Sequence, residues 1–194
     1  DPKRRGIRAN ESLEIIRKLL RGDSVNFSGS EFDISDARIR PTPKEPIPII
    51  VGGRSDAALT RAAKYGEGWI GVWCSPERFK NAIKIVASEA EGYGRSGIDW
   101  CHGYQPWVGL DAKDSKKAFE SVKKGMESFY QIPFEKFERY TPSGTPSEVA
   151  EKLAPYMEAG CRLFNLKVCS ENPEEEHELG AELVTHLRTF SSSQ

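Results

Sequence analysis

The chain has 194 residues, and its 28 lysines and arginines against 29 aspartates and glutamates give a formal net charge of -1. This balance argues against a nucleic acid or an anionic membrane surface as the main partner. Hydrophobic residues make up 38% of the chain, and the apolar runs are far shorter than the roughly 20 residues that span a bilayer. We therefore expect no transmembrane segment, and the length predicts one domain over residues 1–194.

The spacing of the cysteines and the residues at the amino terminus bear on the cellular compartment. None of the cysteines forms a C-x-x-C pair or has a histidine at metal-ligand spacing, so we expect reduced thiols, no metal site and a cytoplasmic protein. The chain begins at Asp1 without Met and shows no apolar signal sequence. His102 follows a cysteine directly, but neighbours on a strand point to opposite faces, which disfavours a joint site. The cysteines are Cys74, Cys101, Cys161 and Cys169.

The first predicted element is an amphipathic helix over residues 10–21. Its apolar positions, such as Leu13, Ile16 and Leu20, recur at helical spacing, with Asn10 as the expected N-cap and Gly22 just past the end. Residues 23–45 then predict a small surface hairpin and a proline-rich connector, because short alternating runs flank a Ser-Gly-Ser turn.

From residue 47 onward, strands and helices alternate. The run 47–51 is rich in β-branched residues and ends at a Gly-Gly pair, which is typical of a strand buried on both faces. Ser75, Thr145 and Asn172 are the expected caps of later helices, and a proline follows each of them. Strands are predicted at 47–51, 69–73, within 107–110 and at 162–168, and helices at 55–65, 75–91, within 113–130, at 145–160 and at 172–189.

This alternation implies parallel strands joined by right-handed crossovers, so the fold class is α/β. Four parallel strands can form a small open sheet or half of a (β/α)8 barrel, which needs about 250 residues when complete. Length alone does not decide between the two.

One turn has a pattern suited to binding an anion. Gly52, Gly53, Arg54 and Ser55 lie between a buried strand and the start of a helix. Glycines let backbone N–H groups approach a phosphate, the helix start carries partial positive charge, and Arg54 adds a forked donor. Ser55 can cap the helix or donate to the anion. The same pattern is also typical of a plain tight turn, and it matches neither G-x-G-x-x-G nor a Walker motif.

Other candidate sites are weaker. Gly66 and Gly68 indicate a helix end and a close backbone approach, and Trp69 suits either a core position or a ligand wall. No nucleophile elbow or catalytic triad is present, and His177 and His186 fall on a polar helix, where we expect an exposed surface.

Taken together and in order, several segments resemble the luciferase-like monooxygenases, the bacterial luciferase superfamily of flavin- and deazaflavin-dependent oxidoreductases. The resemblance covers nearly the whole chain. Its series of motifs is more specific than any single one, although Glu67 stands where the family usually has aspartate. The matching segments are 4–19, 25–29, 46–55, 57–59, 61–63, 65–70, 144–150 and 159–166.

The resemblance implies a TIM barrel that uses reduced FMN or coenzyme F420. Gly53, Arg54 and Ser55, with the preceding Gly52, would hold the cofactor phosphate. Gly68 and Trp69 would lie on the strand whose carboxyl end is near the cofactor pocket. The chain corresponds to the carboxyl-terminal half of such a barrel, so no catalytic acid or base is named.

The resulting hypothesis is a flavin- or deazaflavin-dependent oxidoreductase that acts on a small-molecule substrate. It would either reduce molecular oxygen during a monooxygenation or transfer a hydride with F420. The alternative is a non-catalytic flavin-binding protein on a shortened version of the fold. A half barrel leaves the edges of its sheet unpaired. We therefore expect these edges to be covered in a homo-oligomer or by the remainder of a longer chain.

Overall fold

A computed structural model describes residues 1–191. Its contacts divide the chain into two compact units. Unit 1 comprises Asp1–Trp69 and Ile85–Cys101, and unit 2 comprises Ile70–Lys84 and the chain from His102 onward. The helices are α1 (Arg5–Leu20), α2 (Asp56–Tyr65), α3 (Pro76–Gly92), α4 (Ser115–Tyr130), α5 (Pro146–Glu158) and α6 (Glu176–Ser191). The strands are β1 (Val25–Ser28), β2 (Asp33–Ala37), β3 (Ile50–Gly52), β4 (Gly68–Gly71), β5 (Gly103–Tyr104), β6 (Trp107–Leu110), β7 (Ser143–Gly144), β8 (Leu163–Phe164) and β9 (Lys167–Cys169).

In unit 1, α1 starts five residues earlier than its apolar spacing predicts. A short 3-10 turn, in which the Asp1 side chain accepts from the Lys3 N–H, leads directly into the helix. The prediction that Asn10 is the N-cap is therefore wrong: its side chain lies along the helix and accepts from Arg61 Nε at 2.8 Å. The predicted end is confirmed, since Gly22 follows with φ +87°.

The predicted hairpin is confirmed. Strands β1 and β2 pair antiparallel, with Ser28 opposite Asp33. The carboxylate of Glu11 on α1 accepts the backbone N–H groups of Ser30, Glu31 and Phe32 at 2.8–3.1 Å. The hairpin turn is thus anchored to the helix that precedes it.

Strand β3 is shorter than predicted. It covers three residues, and Ile47, which was expected to be buried within it, is 52% exposed. The reason is local: Pro46 and Pro48 have no N–H to donate to a sheet, so regular pairing begins only after them. The strand still delivers Val51 into the core at 7% exposure.

In unit 2, the strands are parallel, as predicted. The end of β4 pairs with β5, and β5 pairs with β8, with Gly103 opposite both Ile70 and Leu163. Strand β6 lies between β7 and β9 and is parallel to both. The α/β class is therefore confirmed.

The third strand, predicted within residues 107–110, is confirmed as β6, and the unpredicted β5 precedes it across a short gap. The fourth, predicted at 162–168, is interrupted and divides into β8 and β9. Pro106 between β5 and β6 has no N–H, which breaks the ladder. Single hydrogen bonds continue across both gaps, from Asn165 N to Tyr104 O and from Lys167 N to Pro106 O, each 3.0 Å. Strand β7 was not predicted, and β4 ends at Gly71 instead of Trp73.

The helix starts in unit 2 follow the predicted caps. Ser75 Oγ accepts from Arg78 N, Asn172 accepts from Glu174 N, and Thr145 forms a capping box with Glu148. Apolar side chains of β6, α4 and β9 form a core cluster with the segment after α4. None of the helices described over residues 1–191 combines the length and apolar character needed to cross a bilayer. The core cluster comprises Trp107, Val122, Met126, Phe134, Phe137 and Cys169.

Candidate cofactor site

The turn between β3 and α2 in unit 1 is built around Gly53. Its φ of +137° lies where only glycine is comfortable. A Cβ at this position would also lie 2.6 Å from the Cβ of Ala58 on α2. Both the backbone angle and the packing therefore require glycine here.

Arg54 and Ser55 follow this glycine and are exposed. Ser55 is the N-cap residue of α2, and its carbonyl accepts from Ala58 N at 2.8 Å, but its side chain makes no capping hydrogen bond. The prediction that the Ser55 side chain caps the helix is therefore wrong, because the helix does not use that hydroxyl.

These groups form a donor set that fits a phosphate. The first N–H groups of α2 have no acceptor within the helix, and the helix dipole places partial positive charge at them. The Arg54 guanidinium and the Ser55 hydroxyl add side-chain donors. Asp56 in the first turn is an opposing charge, since its carboxylate would repel an anion placed close to it.

Trp69 is joined to this turn by a hydrogen bond. Its side chain is 3% exposed, and its indole Nε1 donates to the carbonyl oxygen of Gly53 at 2.8 Å. Of the two roles that the sequence left open, the core position is the one observed. Gly68 is instead pressed against Cys101, whose carbonyl oxygen would overlap any Cβ at this glycine.

Glu67, where the family usually has aspartate, accepts from three groups. Its Oε1 pairs with Arg17 Nη1 at 2.6 Å and with Arg95 Nη2 at 3.2 Å, and its Oε2 accepts the backbone N–H of Ile49 at 2.9 Å. Arg95 also donates to the carbonyls of Ala63 and Gly66. Burial lowers the pKa of Arg95 and the nearby Arg17 lowers it further, while Glu67 raises it.

Sequence reasoning missed both arginines of this cluster. Arg17 lies 50 residues before its carboxylate partner and Arg95 lies 28 residues after it. Nothing in the spacing along α1, or in the residues after α3, marks them as partners of Glu67. The unusual acid at position 67 was the one signal in the sequence that pointed to this cluster.

The histidines have different surroundings. His102 is 4% exposed, and burial lowers its pKa to about 4, so it is neutral at pH 7. His177 is exposed, as expected, whereas His186 is half-buried with Nε2 3.6 Å from Glu182. No general acid or base is assigned to any of them.

Unit 2 has an aromatic cluster built from Tyr104 and Tyr156. Tyr104 stacks on Tyr156 with ring centroids 4.0 Å apart, and the Tyr156 hydroxyl donates to Cys74 O at 2.6 Å. Burial raises the pKa of Tyr156 to about 12, so both hydroxyls stay protonated. Tyr104 lines a cavity of about 340 Å³, whereas Trp107 packs and donates to Tyr130.

Comparisons with known proteins place these features in a family. An F420-dependent glucose-6-phosphate dehydrogenase of Amycolatopsis mediterranei is 25% identical over 179 residues, which cover 81% of this chain and 54% of the relative. The structure of an F420-dependent secondary alcohol dehydrogenase with an F420-acetone adduct superposes with a TM-score of 0.78 at 19% identity. That match covers 94% of this chain and 62% of the other.

A riboflavin lyase, solved with modified FMN and riboflavin, superposes with a TM-score of 0.68 at 12% identity, over 95% of this chain and 56% of the other. At these identities the structural likenesses show the fold, that of luciferase-like TIM-barrel proteins. The chain spans about half the length of the dehydrogenase relative. A family model described as luciferase-like monooxygenase matches residues 1–130, well over half of the chain. The chain therefore belongs to the luciferase-like monooxygenase family.

Proposed function

We propose that this chain carries the cofactor-phosphate site of a flavin- or deazaflavin-dependent oxidoreductase. The observation that carries the proposal is the turn between β3 and α2. There Gly53 adopts φ +137°, and the exposed Arg54 and Ser55 stand beside the first N–H groups of α2, which helix geometry leaves without an acceptor inside the helix. These groups suit the terminal phosphate of FMN or the phosphodiester of F420.

The cofactor supplies the redox chemistry when bound, and the protein supplies position and shielding from water. In the proposed site, Arg54 neutralises phosphate charge, Ser55 donates its hydroxyl, and Gly52 and Gly53 let the backbone approach closely. Gly68 and Trp69 support the turn from β4. F420 is favoured by the similarity to the F420-dependent glucose-6-phosphate dehydrogenase and to the structure of the F420-dependent secondary alcohol dehydrogenase. FMN is favoured by the similarity to the riboflavin lyase, which was solved with modified FMN.

The reaction is proposed as a class. A small-molecule donor would be oxidised by hydride transfer to F420, or oxygenated with reduction of molecular oxygen. The second candidate is a non-catalytic flavin-binding protein, for which the same phosphate site at the turn between β3 and α2 would suffice. Binding of FMN or F420 without turnover of any aldehyde or alcohol substrate would support this second candidate.

Three further assignments belong to the proposal. A single domain over residues 1–194 is supported by two of the three unit boundaries, which fall inside β4 and α3. A cytoplasmic location is supported by the reduced thiols of Cys101 and Cys169. Assembly into a homo-oligomer or with the rest of a longer chain is supported by the sheet edges discussed below.

Replacing Arg54 and Ser55 tests the phosphate site. We expect Arg54→Ala and Ser55→Ala each to weaken FMN binding by about tenfold or more, because a charge-assisted hydrogen bond contributes roughly 1.5–3 kcal/mol. Riboflavin, which lacks the phosphate, should be nearly unaffected. Fluorescence titration of both ligands, and of F420 against its phosphate-free deazaflavin core, measures the difference.

Arg8→Ala serves as the matched control, since it removes an exposed arginine of unit 1 on α1. This variant should bind both ligands like the parent protein. If the Arg54 and Ser55 variants weaken riboflavin as much as FMN, the phosphate assignment is wrong.

A further inference from the structure

Strand β3 is flanked by two contacts with one short segment, residues 67–69, which leads into β4. At the start of β3, Glu67 and Ile49 exchange two hydrogen bonds, from Glu67 N to Ile49 O at 2.8 Å and from Ile49 N to Glu67 Oε2 at 2.9 Å. At its end, Trp69 Nε1 donates to Gly53 O at 2.8 Å. Glu67 immediately precedes β4 and Trp69 is its second residue, so both contacts come from the same short stretch of chain.

The bond to Gly53 sets the direction of the next peptide N–H. In a trans peptide, the carbonyl and the N–H of the same plane point in opposite directions. The Gly53 carbonyl points at the indole of Trp69, which is 3% exposed. The backbone N–H of Arg54, in the same peptide plane, is therefore directed away from that buried ring.

We propose that Trp69 is a positioning residue for the cofactor phosphate, acting through the Gly53–Arg54 peptide. By holding the Gly53 carbonyl inward, the indole keeps the Arg54 N–H turned toward the phosphate. This inference rests on the function proposed above. In this arrangement Trp69 does not contact the ligand directly. It supports the turn through its hydrogen bond to the Gly53 carbonyl.

Trp69 suits this role for two reasons. The indole N–H offers a donor and no acceptor, so it binds the Gly53 carbonyl by donating to it. The guanidinium groups of Arg17 and Arg95 hold the carboxylate of Glu67. These ion pairs fix the position of the backbone that carries Trp69 relative to β3. A glycine at φ +137° has little local preference of its own, so an external bond is needed to choose its orientation.

Trp69→Phe removes the donor and keeps an aromatic ring. We expect this variant to raise the Kd for FMN about tenfold and the Kd for riboflavin less than twofold, because only the phosphate senses the direction of the Arg54 N–H. Trp107→Phe is the matched control, since it removes another buried indole N–H, which donates to Tyr130 in unit 2. The control should change neither Kd.

The ratio of the two affinities decides the outcome. If Trp69→Phe weakens both ligands equally, or neither, Trp69 does not position the phosphate and the inference is overturned while the proposed function stands. If the parent protein binds neither FMN better than riboflavin nor F420 better than its phosphate-free deazaflavin core, the proposed function fails first and the inference with it.

A measurement on the unaltered protein covers the case in which Trp69→Phe does not fold. The Nε1–H of Trp69 has its own resonance, and its exchange with deuterium reports the strength of the bond to Gly53. We expect FMN to slow this exchange at least threefold more than riboflavin does. Equal slowing by both ligands would contradict the inference.

Discussion

His102 shows how burial changes the chemistry of a single residue. Its imidazole has a pKa of about 4 because it is removed from water, against a reference value of 6.5 for an exposed side chain. The unfolded chain therefore binds a proton between these two pH values and the folded chain does not. The contribution of His102 to the free energy of unfolding is fully present above pH 6.5 and decreases as the pH drops toward 4.

We predict that the unfolding free energy decreases by about 3 kcal/mol between pH 7 and pH 4 on account of His102. Urea unfolding across this range measures the decrease. His102→Gln should flatten the curve, whereas His177→Gln, which removes an exposed imidazole, should leave it unchanged. A native pKa near 6.5 for His102 by NMR would contradict the prediction.

At the scale of elements, β6 and α4 approach each other more closely than a side chain would allow. An ideal Cβ on Gly109 would overlap the carbonyl oxygen of Ala118 and lie 2.9 Å from Val122 Cγ1. The obstacle is helix backbone, which cannot rotate away as the end of a side chain can. The absence of a side chain at position 109 therefore sets the distance between this helix and its strand.

We predict that Gly109→Ala lowers the unfolding free energy by roughly 1–3 kcal/mol, in the range of overpacked cores. The control is Gly92→Ala at the end of α3, where nothing lies within 4 Å of the added methyl group. That change should be neutral, or stabilising by up to about 1 kcal/mol. Equal denaturation midpoints for the two variants in urea would show that β6 and α4 can separate at little cost.

The elements themselves were mostly predictable. Local patterns such as the capping box of Thr145 and Glu148 depend on residues three positions apart, and they appear as expected. Some errors arose where a distant partner intervened: Asn10 bonds Arg61 in place of capping a helix. Others had a local signal, such as the prolines that shorten β3 and Pro106 before β6, whereas the pairing of that segment with β8 and β9 depends on residues about 60 positions away.

The candidate site was predictable to the same extent. The glycines and the position of Arg54 and Ser55 at a helix start can be read from the sequence. The bond from Trp69 to Gly53 cannot, because its two ends are 16 residues apart and only the pairing of β3 and β4 brings them together.

For the whole molecule, the open sheet edges are the main consequence of the strand arrangement. Among the described strands of unit 2, β8 is an outer strand beside β5, and β9 is an outer strand beside β6. Leu163 on β8 is 39% exposed. Unpaired edges with exposed apolar side chains favour association with another strand.

We predict that the purified chain associates in a concentration-dependent way, as measured by light scattering during size exclusion. Leu163→Lys should shift the population toward monomer, because a charge on an edge strand opposes pairing. Ile85→Lys, on the exposed face of α3, should have no such effect. A monomeric parent protein at all concentrations would contradict the prediction.

The sequence by itself determined the α/β class, the alternation of strands and helices, the family and the turn that suits a phosphate. These depend on patterns within about 20 residues, such as apolar spacing, caps and glycine pairs. The tertiary structure decided which groups support that turn. Glu67 meets Arg17 and Arg95, and Trp69 meets Gly53, because side-chain partners far apart in the chain are chosen by packing and not by local preference.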